Sequence, residues 1–168
     1  MSFQKILVAL DDSQLSKVVF NRALEMAQAN HARMMLFHCV SQEMSGESLA
    51  VLPVELGLYP ELMDNAYQTE HLRVEQRIEQ VQGMLAEYSK TATVLEVPTE
   101  FDYKIGDAGE CLCQVAKNWG SDVIVLGRRG RTGWAEALLG SVSNYVGHRA
   151  PCSVLVIQQV EMLESMAL

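Results

Sequence analysis

Five β-rich apolar runs alternate with four segments of helical periodicity, and this alternation restricts the fold more than any other feature of the chain. The runs lie at residues 3–10, 32–40, within 94–105, at 121–126 and at 153–158. The first is almost continuously apolar after Lys5, which suits a central parallel strand covered on both faces. After it, Asp11, Asp12 and Ser13 offer helix caps, and Leu15, Val18, Val19, Ala23, Met26 and Ala27 recur at helical spacing to about Asn30. Tyr67, His71, Val74, Ile78, Val81, Leu85 and Tyr88 then step by four and three along a longer helix. Such a narrow stripe is expected to pack on the sheet, His71 with it or at its edge. Ala108, Cys111, Leu112, Val115, Ala116 and Trp119 mark a third helix, ended by Gly120, and Pro151 stops a fourth over residues 141–149. Pro98 implies an edge position or an irregular start for the third strand. Strands alternating with helices imply one α/β domain with a parallel sheet and right-handed crossovers.

The most specific local signal is Gly127-x2-Gly130-x9-Gly140-Ser141, which begins where the fourth run stops and ends where the fourth helix starts. Glycine lets the backbone turn sharply and come close to a ligand, since no Cβ intervenes. A helix N-terminus offers free N–H groups and a positive dipole end to a phosphate. The segment reads as strand, glycine loop and helix with room for a polyphosphate. The alternative is a turn that serves chain geometry alone. Neither G-x-x-x-x-G-K-[ST] nor G-x-G-x-x-G occurs in the chain. In the first reading the N–H groups of Gly130, Gly140, Ser141 and Val142 cradle phosphates. The hydroxyls of Ser141 and Ser143 add hydrogen bonds, and Gly127 lets a ribose or α-phosphate lie against the backbone. Asp11 holds ribose hydroxyls or helps place Mg2+, or else caps the first helix.

A net charge of −8 argues against nucleic acid as a general partner, because such proteins present a basic face. Arg128, Arg129 and Arg131 are either a local spot that attracts an anionic ligand or three solvated side chains. No apolar run approaches the roughly 18 residues that span a bilayer. No targeting signal stands at the N-terminus, so no membrane partner and a cytoplasmic location are expected. Cys39, Cys111, Cys113 and Cys152 show no zinc-ligand spacing and are expected as reduced thiols, with redox sensing by Cys39 as the alternative. Residues 41–63 are irregular, with Pro53, Gly57 and Pro60; they form a lid, a dimer contact or an ordered surface loop.

The glycine motif, the opening Ile6-Leu7-Val8-Ala9-Leu10-Asp11-Asp12-Ser13, Gly106-Asp107-Ala108 and the closing Ala150-Pro151-Cys152-Ser153-Val154-Leu155-Val156-Ile157 together resemble the universal stress protein family. The resemblance spans about residues 3–158, which makes residues 1–158 one such domain with an insert at 41–63, and residues 159–168 a tail. It implies a doubly wound, Rossmann-like sheet of five parallel strands in the order 3-2-1-4-5. In that order the switch point, where open α/β sheets bind ligands, lies between strands 1 and 4. The motif resembles that of the members that bind ATP. The likeness carries nucleotide contacts onto Ala9, Leu10, Asp11, Leu126, Gly127, Arg129, Gly130, Gly140, Ser141 and Val142, and adenine contacts onto Cys39 and Val40. It also implies a homodimer through the fifth strand. Asp12 stands where a small residue is common in the family, and its carboxylate either recruits metal or repels phosphate.

His31, His38, His71 and His148 have no partner in the sequence that would complete a triad, and any turnover is expected to be weak. The chain therefore reads as a protein that binds ATP or another adenine nucleotide in stress response or signalling, acting on a dimer or an unknown protein partner. A slow ATP hydrolase of the same fold and a scaffold with a vestigial motif are the alternatives.

Overall fold

The computed structural model describes residues 2–41, 60–128 and 140–158, with backbone alone at 60–63. Its elements run β1 (Lys5–Ala9), α1 (Leu15–Asn30), β2 (Arg33–Val40), α2 (Pro60–Val94), β3 (Thr99–Ile105), α3 (Ala108–Trp119), β4 (Val123–Arg128), α4 (Ser141–Arg149) and β5 (Ser153–Gln158). The strands form one parallel sheet in the order β3-β2-β1-β4-β5. β3 is an edge strand and begins just after Pro98, where a missing N–H costs no ladder hydrogen bond.

Alternate residues of the central strands face opposite layers. Ile6, Val8, Met34, Leu36 and Val125 pack against α1 and α2, with Phe20, Ala23, Val81 and Leu85. Leu7, Met35, Phe37, Ile124 and Leu126 pack against α3 and α4, with Leu112, Val115 and Val146. β1 holds the centre, since Ile6, Leu7 and Val8 are fully buried and paired on both sides. At the amino edge of the sheet, the N–H groups of Gln4 and Lys5 donate to Asp122 Oδ2 at 2.7 and 2.8 Å. That carboxylate pins the entry to β1 beside the entry to β4.

Three expectations change. The helix after the irregular segment starts at Pro60, three residues before that segment was expected to end. Proline favours the first turn, where its missing N–H has no partner to lose. Residues 42–59, the rest of the insert, lie outside the described residues, as does the tail at 159–168. His71 is not packed: it is exposed and lies 3.3 Å from Glu75 one turn on. Tyr67 is also exposed, whereas Val81, Leu85 and Ala92 are buried. The reason is length. A 35-residue helix runs about 52 Å, and the eight residues of β2 run about 27 Å, so the sheet covers only the C-terminal part of the stripe. Finally, α1 is not capped by Asp11, Asp12 or Ser13. Its N-cap is Gln14, without a side-chain capping bond.

α3 and α4 meet through a glycine. A Cβ on Gly109 would lie 2.6 Å from Tyr145 Cδ1. Gly109→Ala is expected to lose about 1–3 kcal/mol through overpacking, read as a lower urea midpoint at unchanged slope.

Candidate functional site

The carboxyl ends of β1, β2 and β4 and the amino end of α4 surround a cavity of about 490 Å³. It lies where the strand order reverses, beside β1 and β4. β1 contributes Ala9 and the residues that follow it, Leu10 and Asp11; β2 contributes Cys39 and Val40. β4 contributes Leu126 and Gly127, and the opposite wall is Gly140, Ser141, Val142 and Ser143. Arg129 and Gly130, also expected at the site, lie outside the described residues.

Asp11 organises the turn after β1. Its Oδ1 accepts hydrogen bonds from Ser13 N–H, Ser13 Oγ and Ser16 Oγ, while its own N–H donates to Ser16 Oγ at 2.7 Å. These bonds hold the loop between β1 and α1 at the rim. Among the described residues no three His, Cys, Asp or Glu side chains group to hold a metal. A magnesium ion here would draw its remaining ligands from phosphate and water.

The two glycines differ. A Cβ on Gly127 would lie 2.7 Å from Leu15 Cδ2 and 3.1 Å from Val19 Cγ2, so Gly127 is needed for α1 to approach β4. That is a packing role, distinct from the ligand contact its position suggested. Among the described residues a Cβ on Gly140 would meet nothing within 4 Å. Gly140 is the N-cap of α4 and has no side chain, so the first N–H groups of the helix reach the cavity wall without a cap from that residue. At α3, in contrast, Asp107 accepts from Glu110 N–H at 2.9 Å. Ser143 is buried, with Oγ 3.5 Å from the Gly127 carbonyl oxygen, so its hydroxyl is turned toward β4.

Arg77 and His38 line the cavity and were not among the residues expected to contact a ligand. Arg77 reaches in from α2 and pairs with Asp12 Oδ2. His38, from β2, is buried, with Nδ1 2.8 Å from the Leu10 carbonyl oxygen. A carbonyl only accepts, so Nδ1 carries the proton. Burial is the first cause of its lowered pKa; the Leu10 contact and the carboxylates of Asp12 and Asp11 oppose it, and Arg77 adds to it. Sequence alone marked the strand end His38-Cys39-Val40 but not the role of the imidazole.

Cys39 lines the cavity, and its Sγ lies 3.3 Å from the Gly106 carbonyl oxygen. Burial, then the neighbouring Cys111 thiol, push its pKa up to about 12. A thiol held protonated at neutral pH is a poor nucleophile, which weighs against redox sensing by Cys39. Among the described residues, no helix is long and apolar enough to cross a membrane.

Residues 2–158 match the family model for universal stress proteins. Universal stress protein Sll1388 of Synechocystis is 36% identical over 162 residues, covering 94% of this chain and 99% of that protein. Among solved structures, hypothetical protein MJ0577 superposes with a TM-score of 0.73 at 19% identity, covering 95% of this chain and 99% of the other. A universal stress protein in complex with cAMP gives 0.63 at 20% identity, covering 95% and 100%. The shared feature is the five-stranded Rossmann-like α/β fold.

The buried His38 makes stability depend on pH. Its folded pKa lies below its ordinary value of 6.5, so near that pH the unfolded chain takes up a proton that the folded chain does not. Its contribution is complete well above pH 6.5 and is lost as pH falls through 6.5 toward the folded value. Urea midpoints measured from pH 7.5 to 5.5 are expected to decline, and His38→Asn, which retains a donor for Leu10, is expected to flatten that decline.

Proposed function

The chain belongs to the universal stress protein family, and on that premise we propose that it binds an adenine nucleotide, ATP in the first instance, at the switch point between β1 and β4. One observation carries this reading: the N-terminus of α4, whose N-cap Gly140 has no side chain, forms a wall of the cavity, and among the described residues a Cβ on Gly140 would meet nothing within 4 Å. Ser141 and Val142 N–H groups there suit the phosphates, helped by the helix dipole and the Ser141 hydroxyl. Cys39 and Val40 suit the adenine at the end of β2, a partly apolar setting for a flat base. Ala9, Leu10, Leu126 and Gly127 floor the space between them, and Asp11 suits the ribose hydroxyls or a magnesium ion beside the phosphates. Arg129 and Gly130 complete the phosphate contacts in this reading. The complex of a related structure with cAMP supports an adenine nucleotide as the ligand class.

The biological reading follows from that binding. The nucleotide state biases a surface read by a second copy or another protein, in a cytoplasmic stress or signalling response. β5 is one of the two edge strands of the sheet, and its Leu155 is exposed, which suits a homodimer formed at that edge.

Calorimetric titration of nucleotide-stripped protein with ATP, with and without magnesium, tests the site. Saturable binding at one site per chain is expected, and a folded sample that takes up no nucleotide would leave the scaffold reading instead. Gly140→Val is expected to stay folded with a slightly lower melting temperature, because its φ is −54° and among the described residues its Cβ meets nothing within 4 Å, while Val is a poorer N-cap than Gly. It is expected to weaken ATP by at least about tenfold, or about 1.4 kcal/mol. Unchanged affinity in that variant would rule out the α4 cradle.

A further inference from the structure

Asp11 and Asp12 stand side by side at the cavity, just past the carboxyl end of β1. Two carboxylates near a polyphosphate oppose its binding, because like charges repel strongly where water is partly excluded. The chain adds to this with its net charge of −8. Asp11 is tied into the Ser13 and Ser16 hydroxyls, which leave its charge in place. Asp12 pairs with a cation.

That cation is Arg77, 65 residues away on α2. It sits where the helix passes from its exposed start to its packed end, between half-buried Val74 and Ile78. The pair is asymmetric: the Arg77 side chain is 18% exposed and that of Asp12 is 57% exposed. Nε of Arg77 is buried and has no hydrogen-bond partner among the described residues. An arginine retained for packing alone would normally place such a donor against a carbonyl, since a buried unpaired N–H is destabilising. Here the guanidinium is held by its charge pair at the cavity wall. His38, also facing this corner, is buried and its pKa is lowered, so it does not supply the positive charge at neutral pH.

We propose that Arg77 determines which ligands the cavity accepts: by neutralising Asp12, it permits binding of nucleotides that carry several phosphates. The inference rests on the nucleotide site proposed above. It makes Arg77 a positioning residue that acts through Asp12, and its signature is an effect that grows with the charge of the ligand.

The test is calorimetric titration of the full chain with adenosine, AMP and ATP, using wild type, Arg77→Met, Asp12→Asn and the double variant. Methionine keeps much of the apolar stem of arginine and removes the guanidinium with its charge and its N–H donors. Arg77→Met is expected to weaken ATP by about tenfold, AMP by less, and adenosine by under about threefold. The double variant is expected to bring ATP back to within about threefold of wild type. Asp12→Asn alone leaves the guanidinium unopposed and is expected to tighten ATP, a result that does not depend on Arg77→Met folding. Three outcomes overturn the inference: ATP affinity unchanged in Arg77→Met, equal losses for adenosine and ATP, or no recovery in the double variant. Unchanged or weaker ATP binding by Asp12→Asn does so as well. Wild-type protein that takes up neither adenosine nor ATP would remove the nucleotide reading and this inference together. Wild-type binding without the charge dependence would remove only the inference.

Discussion

Burial of β1 on both faces and pairing on both edges is the constraint on which the rest of the molecule depends. Ile6, Leu7 and Val8 have no exposed surface, so the strand fits only between two neighbours and two helical layers. β2 takes one edge and β4 the other, and the chain must therefore cross the sheet in opposite directions to reach them. That reversal parts the loops that follow β1 and β4. The cavity is the gap left between them, a product of topology before any side chain is chosen.

Chemistry then adapts the gap. The α4 wall supplies backbone N–H groups and needs no charged side chain. The β1 wall brings two carboxylates into an already acidic protein, and the arrangement holds because each has a different occupation. Asp11 orders a turn through serine hydroxyls, and Asp12 meets a guanidinium. Asp12 was ambiguous as a lone carboxylate, able to attract metal or repel phosphate; the contact with Arg77 gives it a third description.

Much of this was legible in the sequence, and the parts that were not share a cause. The strands could be read because runs such as residues 121–126 are apolar enough to be buried on both faces. Residues at strand ends, Asp11 and Gly127 among them, could be placed because the family resemblance implied a strand order, and that order fixes where strand ends meet. Arg77 could not be found: it lies on a helix that reads as surface, and nothing near it in sequence points to Asp12. Periodicity also misled at His71. A stripe shows which face of a helix is apolar, but not how far the sheet extends beneath it. Gly127 was identified as a ligand-facing glycine by its place in a motif, and only the packing of Leu15 and Val19 shows that α1 needs it too.

The Asp122 carboxylate, at the amino edge of the sheet, bears on a different question. It accepts from Gln4 and Lys5, so β1 and β4 are registered at the end opposite the cavity. Register set there does not rely on the loops at the other end. Those loops are therefore free to diverge in length and charge while the strands stay aligned. One end of the domain carries the register and the other the cavity, so a change in the cavity loops leaves the contacts of Asp122 with Gln4 and Lys5 in place.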